Sequence, residues 1–225
     1  MRAQLYGVLP TAPRAGLIEI VRDATPLTEL ARVALAPRAL DRLVASAAAS
    51  FTIARVLGVR DRHSDNILVL PSGVLFHIDF GRVLGDTVPL LDATDFAVTE
   101  DLRAKLSAAG APDGDERWGA FCEACGAAFA ALWGARRFVA AFVRAALGSP
   151  DGASPDGGDR AAKVDAHLRR VLFVDGVRTR REAAAHMAAI ADSAPGALAT
   201  TVKNHVHGYA QAFKAAIGSS PGSDG

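Results

Sequence analysis

The sequence predicts an α+β fold in which a few strands come first and helices make up the remainder. Three observations carry this. The first 25 residues hold two strand-like apolar runs punctuated by proline and glycine. Between Pro37 and Leu57 the apolar positions recur at spacings of three and four, which is the period of one buried helix face. After Asp95 the chain is alanine-rich and helical in character to its end. At 225 residues there is enough chain to bury a proper core.

In order, LYGVLP (5–10) and GLIEIV (16–21) read as strands, with Pro10, Pro13 and Gly16 marking turns. Pro26 suits a first helical turn with Thr25 as its N-cap and Glu29 near the capping-box position. Leu40, Leu43, Val44, Ala47, Phe51 and Ala54 then define the buried face of a long helix. The runs NILVL (66–70) and VLFHI (74–78), joined by Pro71-Ser72-Gly73, read as a β-hairpin. Two breaks interrupt the later helices: GAPDGD (110–115) and the Gly/Pro/Asp-rich GSPDGASPDGGD (148–159), expected to be a flexible surface loop. The last seven residues, 219–225, read as a disordered tail.

Half of the residues are hydrophobic, 22% are charged and the formal net charge is +1, so no global field draws the chain to nucleic acid or to an anionic surface. No basic tract with interleaved aromatics supports nucleic-acid binding. No run of 18 apolar residues suggests a transmembrane helix, and no signal peptide is evident, so an intracellular, cytoplasmic setting is expected. Cys122 and Cys125 form a lone C-x-x-C without the second pair that a structural zinc requires or the βαβ pattern of a redox motif. They are expected to be small core-facing helix residues.

The chemistry concentrates between Arg60 and Gly81, RDRHSDNILVLPSGVLFHIDFG. One reading takes His63-x-Asp65 and His77-x-Asp79 as paired metal ligands for hydrolysis, but further ligand motifs are missing. The other reading starts from order. Phosphoryl transfer from ATP needs a group handling the acceptor hydroxyl, an oxygen ligand for Mg²⁺, and a second aspartate on Mg²⁺ from a D-F-G turn. Asp61 and Asn66 are five apart, as in the catalytic loop of protein kinases, and Asp79-Phe80-Gly81 follows across the hairpin. Here, however, the triplet is D-R-H, the reverse of H-R-D.

D-R-H-x-x-N followed by H-I-D-F-G resembles the catalytic and metal-binding segments of the phosphatidylinositol 3- and 4-kinases and their protein-kinase relatives. The form LFHIDFGRVLG (75–85) looks most like the 3-kinases. GLIEIVRDA (16–24) is similar to the family's hinge, FAVTEDL (96–102) to the end of its activation segment, Arg136-Arg137 to a mid-lobe helix, and HVHGYAQAFK (205–214) to its terminal helix.

The resemblance implies a protein-kinase-like C-lobe, mostly helical, with a small catalytic hairpin and N-terminal hinge strands. Residues 1–25 would be the last N-lobe strands and hinge, and 26–218 the C-lobe. Within the C-lobe lie a catalytic loop at 58–66, the D-F-G and activation segment at 79–99, and a helical bundle at 100–218. It implies Mg²⁺-dependent transfer of the ATP γ-phosphate to an inositol lipid hydroxyl, with ATP and Mg²⁺ as cofactors. Asn66 and Asp79 would hold the metal. His63 would take the hydroxyl proton or contact the transferring phosphate, with Asp61 orienting it or sharing the base role. The Glu19 carbonyl and the Val21 N–H would meet the adenine edge. Arg62 is expected to pair internally and His77 to brace the hairpin.

Two departures stand out. Family members usually have glycine immediately before the D-R-H aspartate, and this chain has Arg60; a positive φ there would be strained. The family's phosphate-covering loop and N-lobe lysine have no counterpart, the first lysine being Lys105. The chain alone is therefore expected to be weak or inactive, and to need an N-lobe or a regulatory partner. A non-catalytic kinase-like binding module is the alternative, followed by a protein-serine kinase relative. The segment after D-F-G carries Arg82 and only aspartates beyond it, which favours unphosphorylated phosphatidylinositol over its bisphosphate. Val202, Val206, Tyr209 and Phe213 share one face of the terminal helix, suited either to its own bundle or to a bilayer, and so to a peripheral membrane location.

Overall fold

The computed structural model describes residues 4–13, 15–60, 62–84, 86, 96–107, 114–147 and 159–195. Asp61, most of the activation segment, most of both glycine-rich breaks and the expected terminal helix and tail therefore lie outside the described residues.

The chain opens with an antiparallel hairpin, β1 (Val8–Ala12) and β2 (Ala15–Ile18), in which Val8 pairs with Ile18 and Leu9 with Leu17. Both strands are exposed along their whole length, with Leu9, Leu17, Ile18 and Ile20 all more than half exposed. This hairpin stands off the core.

Next comes a correction to the sequence expectation. Thr25 is not an N-cap: Thr25–Pro26 forms a short strand, β3, whose residues pair with Val69 and Leu68. A 3-10 helix, Leu27–Arg32, follows with no side-chain cap. Proline fits this edge position because it has no N–H to offer a ladder. The long helix α1 spans Pro37–Val56, with proline in its first turn as anticipated. Leu43, Ala47, Phe51 and Ala54 are buried, whereas Leu40 and Val44 are only half-buried at the margin of that face.

The expected hairpin is β4 (Ile67–Val69) and β5 (Leu75–His77), antiparallel with Ile67 opposite His77, and β3 completes a three-stranded sheet. Its turn lies directly on α1. Gly73 has φ 84°, and a β-carbon there would sit 1.8 Å from the Ala39 carbonyl oxygen, so only glycine fits. Ser46 of α1 reinforces the seam: its hydroxyl donates to the Gly73 carbonyl and accepts from the Leu75 N–H.

Five more helices follow: α2 (Glu100–Leu106), α3 (Gly114–Gly134), α4 (Arg136–Leu147), α5 (Arg160–Leu172) and α6 (Arg180–Ser193). The described part is thus mostly helical with two small antiparallel sheets. α3 packs between α1 and α6, and Phe121, Cys125 and Phe129 of α3 are fully buried there. α3 and α4 meet at a 79° bend, where Arg136 lies over the Trp133 ring at 3.9 Å. A capping box starts α6: the Thr179 side chain accepts from the Glu182 N–H, and Glu182 accepts from Thr179 in return. Cys122 and Cys125 are buried free thiols, pushed by burial up to about 11 and about 12, which makes them inert core residues as expected. Among the described residues no single helix is long and apolar enough to cross a membrane.

Candidate active site

Two loops form the site, one leaving α1 and one leaving β5, and backbone bonds sew them together. The Arg60 N–H donates to the Arg82 carbonyl, Leu84 donates to Leu57, and Ile78 donates to Asn66. Arg60 is absent from the residues with positive φ, so arginine sits at the family's glycine position without left-handed strain.

Arg62 is the buried clamp between the loops. Only 3% exposed, it donates from Nε to the Arg60 carbonyl (2.9 Å), from Nη1 to the Ile78 carbonyl (2.6 Å) and from Nη2 to the Asp79 carbonyl. Its guanidinium also faces the Phe80 ring at 5.9 Å. The planar fork matches three carbonyls at once, which an ammonium does not do. The internal pairing expected of Arg62 is what the geometry contains.

Ser64–Asn66 forms a single 3-10 turn leading into β4. Neighbours hold it from two sides: Thr28 donates to Asp65 (3.0 Å) and Ser64 donates to Asp101 of α2 (2.8 Å). His63 is 8% exposed, with Nδ1 3.9 Å from the Asp65 carboxylate, so its Nε2 is the nitrogen turned away from that acid. Asn66 is 9% exposed, and its carbonyl receives Ile78, which puts it one register step from Asp79. Asp61 lies outside the described residues.

Asp79 itself is exposed and has φ 58°, a left-handed backbone that aspartate tolerates better than most residues. Its Oδ1 accepts from the Gly81 N–H at 3.1 Å. Asp79 lines a cavity of about 600 Å³. The same cavity is lined by Glu19 and Val21 of the expected hinge, with Tyr6, Ile18, Leu68 and Ile78 supplying apolar walls. Among the described residues neither the Glu19 carbonyl nor the Val21 N–H is used in a hydrogen bond, although the Glu19 N–H donates to Gly7. Both residues line an apolar cavity of the size that small-molecule sites have.

His77 sits in the hairpin strand β5, as its expected bracing role requires. It braces the hairpin by packing alone, edge-on to Phe51 with ring centroids 5.0 Å apart, and both ring nitrogens lack hydrogen-bond partners. Burial, with Arg62 adding repulsion, pushes its pKa down to about 3, so it is neutral. It does not converge with Asp79 as a metal ligand. Among the described residues no group of three or more His, Cys, Asp or Glu side chains is placed to hold a metal. Asn66 and Asp79 stand one register step apart in the backbone, and their oxygens are of the kind that suits Mg²⁺, which keeps several waters and binds through one or two protein oxygens plus phosphates.

Sequence reasoning passed over Tyr6. Its hydroxyl donates to the His77 carbonyl (3.4 Å) and its ring lies 6.1 Å from Phe76 on the cavity wall. Burial, with Asp79 assisting against Arg62, raises its pKa, so the phenol stays protonated. The available signal was an aromatic residue just ahead of the first strand.

Comparison with known proteins finds similarity to lipid kinases. A family model described as phosphatidylinositol 3- and 4-kinase matches residues 36–150. The phosphatidylinositol 3-kinase VPS34 of Saccharomyces cerevisiae is 36% identical over 98 residues, covering 36% of this chain and 11% of its own length. The phosphatidylinositol 3-kinase age-1 of Caenorhabditis elegans is 28% identical over 161 residues, covering 69% of this chain and 13% of its own. The rat phosphatidylinositol 3-kinase C2 domain-containing subunit gamma is 34% identical over 108 residues, covering 38% and 7%. The chain thus spans only a small part of the length of the curated relatives that it matches.

Proposed function

Because this chain belongs to the phosphatidylinositol 3- and 4-kinase family, we propose that it carries the hinge and C-lobe of a 3-kinase-like enzyme that transfers the ATP γ-phosphate to an inositol lipid hydroxyl. The observation that supports this reading best is a shared cavity: the expected hinge residues Glu19 and Val21 line the same cavity as Asp79.

In this reading adenine lies in the apolar slot, with its edge on the Glu19 carbonyl and the Val21 N–H, and the phosphates run toward Asp79. Mg²⁺, when bound, neutralises charge on the β- and γ-phosphates. Asn66 and Asp79 would supply its protein oxygens, and the Gly81 N–H and the Arg62 clamp fix the turn at Asp79. The inositol hydroxyl gives its proton to His63 Nε2, or to Asp61, as its oxygen bonds to the γ-phosphorus and the bridge to the β-phosphate breaks, releasing ADP. Arg62 takes no part in the transfer; it keeps the two loops in register.

The slot is open above the phosphates. Ile18 and Ile20 are 68% and 86% exposed, and Lys105 is spent on the Val33 carbonyl, far from Asp79 in the chain. A covering lobe or partner that brings a phosphate-contacting lysine belongs in this proposal, and these residues alone are slow. The enzyme works as a peripheral protein at the cytoplasmic face of membranes, on phosphatidylinositol in preference to its bisphosphate. Vesicle flotation with and without residues 198–217 tests the membrane contact.

The deciding assay incubates the chain with radiolabelled ATP and phosphatidylinositol vesicles and maps the product. Slow, Mg²⁺-dependent label on the inositol 3-hydroxyl, lost in Asp79→Asn, is expected. Label on the 4-hydroxyl, or label that survives Asp79→Asn, overturns the assignment. No label with intact ATP binding would favour a non-catalytic binding module.

A further inference from the structure

Helix α4 is apolar on two sides. Ala140 and Val143 are buried against the core, whereas Phe138 and Phe142, one turn apart, are 72% and 63% exposed. Their rings stack, with centroids 6.4 Å apart and planes 22° from parallel. Ala141 and Ala145 are exposed as well. Spacings of three and four put these four residues on one stripe, opposite the buried face. A single exposed phenylalanine is ordinary, but a stacked pair on a continuous apolar stripe marks an interaction surface.

The flank of the stripe is basic. α4 reads RRFVAAFVRAAL and holds no acid. Arg137 and Arg144 are seven residues apart and so share one row along the helix. Across that row lies α5, where Asp165 is the one carboxylate in either helix, and Arg144 holds it at 2.5 Å. Arg137 and, on α5, Arg169 are exposed. The whole chain has a formal net charge of only +1, so this basic character is local.

Size and charge together select the partner. Two phenylalanine side chains of about 200 Å² each, even wholly covered, fall well short of the about 800 Å² per side of a stable protein interface. A bilayer asks for less area and no matching shape: aromatic rings enter the headgroup boundary while arginines reach back to the lipid phosphates. The missing acids on α4 fit a negative surface.

We propose that the outer face of α4 is a membrane contact, in which Phe138 and Phe142 enter the headgroup boundary of an anionic bilayer and Arg137 meets its phosphates. None of these residues lines the cavity shared by Glu19 and Asp79. The choice of a lipid surface rests in part on the lipid substrate proposed above.

The test is flotation of the full chain with phosphatidylcholine vesicles, with and without phosphatidylserine. Binding is expected to rise with phosphatidylserine and to fall with salt. Phe138→Ala combined with Phe142→Ala, both at exposed positions, should keep the parent's Tm and lower partitioning by about tenfold or more. Phe138→Trp reads the same contact independently, because Trp118 and Trp133 are buried: its emission should shift to the blue on anionic vesicles. If the double variant fails to fold, an unshifted Phe138→Trp spectrum overturns the contact. Undiminished flotation of a folded double variant overturns α4 as the contact and leaves the peripheral location standing, whereas a parent that floats with neither vesicle overturns both. A parent dimer by light scattering, lost in the double variant, would assign the stripe to a second copy of the chain and overturn the bilayer.

Discussion

Asp79 combines an exposed carboxylate with a left-handed backbone at φ 58°. Asparagine shares the tolerance for that conformation, so Asp79→Asn isolates the charge from the fold. Its Tm should stay with the parent, and phosphoryl transfer should fall by roughly a hundredfold or more. Equal losses in both measurements would make Asp79 a structural residue. Arg62 is the opposite case, buried and committed to three carbonyls. Arg62→Lys keeps the charge but not the fork, and should cost about 3 kcal/mol in urea unfolding. A lysine variant as stable as the parent would refute the clamp. The motif was legible at this scale because D-R-H-x-x-N and H-I-D-F-G fix residue types and spacing. Tyr6 was not: it belongs to no pattern and matters only through neighbours distant in sequence.

The seam between the β4–β5 hairpin and α1 tests the account at the level of elements. Gly73→Ala must drive a β-carbon into the Ala39 carbonyl at a φ that alanine avoids, and should cost about 3 kcal/mol or more in denaturant unfolding. His77 supplies a pH signature for the same seam. Its folded pKa, about 3, lies below its unfolded value of 6.5, so the unfolded chain binds the extra proton between them. Stability unaffected by this group above pH 6.5 therefore drops by about 1.4 kcal/mol for each pH unit below it, down to about pH 3. His77→Phe should remove that increment of slope, with the difference from the parent read by urea unfolding at pH 7 and pH 5; parallel curves would exclude it. Helical periodicity gave α1 its ends to within a residue, since Pro37 and the leucine-glycine pair after Val56 are local signals. β3 was missed because Thr25 and Pro26 look like a helix start until Leu68 and Val69 arrive from across the fold.

At the level of the whole molecule, helices α1, α3 and α6 hold a core on which two loops and a hairpin are mounted. The exposed β1–β2 hairpin stands off that core and lines the same cavity as Asp79 through Val8 and Ile18. Its strands were expected from their composition, but not their exposure, because an apolar strand reads the same whether its cover is present or not. The central claim is that Glu19, Val21, Asn66 and Asp79 form one site for a magnesium nucleotide. Calorimetric titration of the chain with ATP, in magnesium and again in chelator, tests it most directly. Binding that strengthens with magnesium, and loses that increment in Asp79→Asn, is the predicted result. Absent binding, or binding indifferent to both magnesium and Asp79, would contradict it.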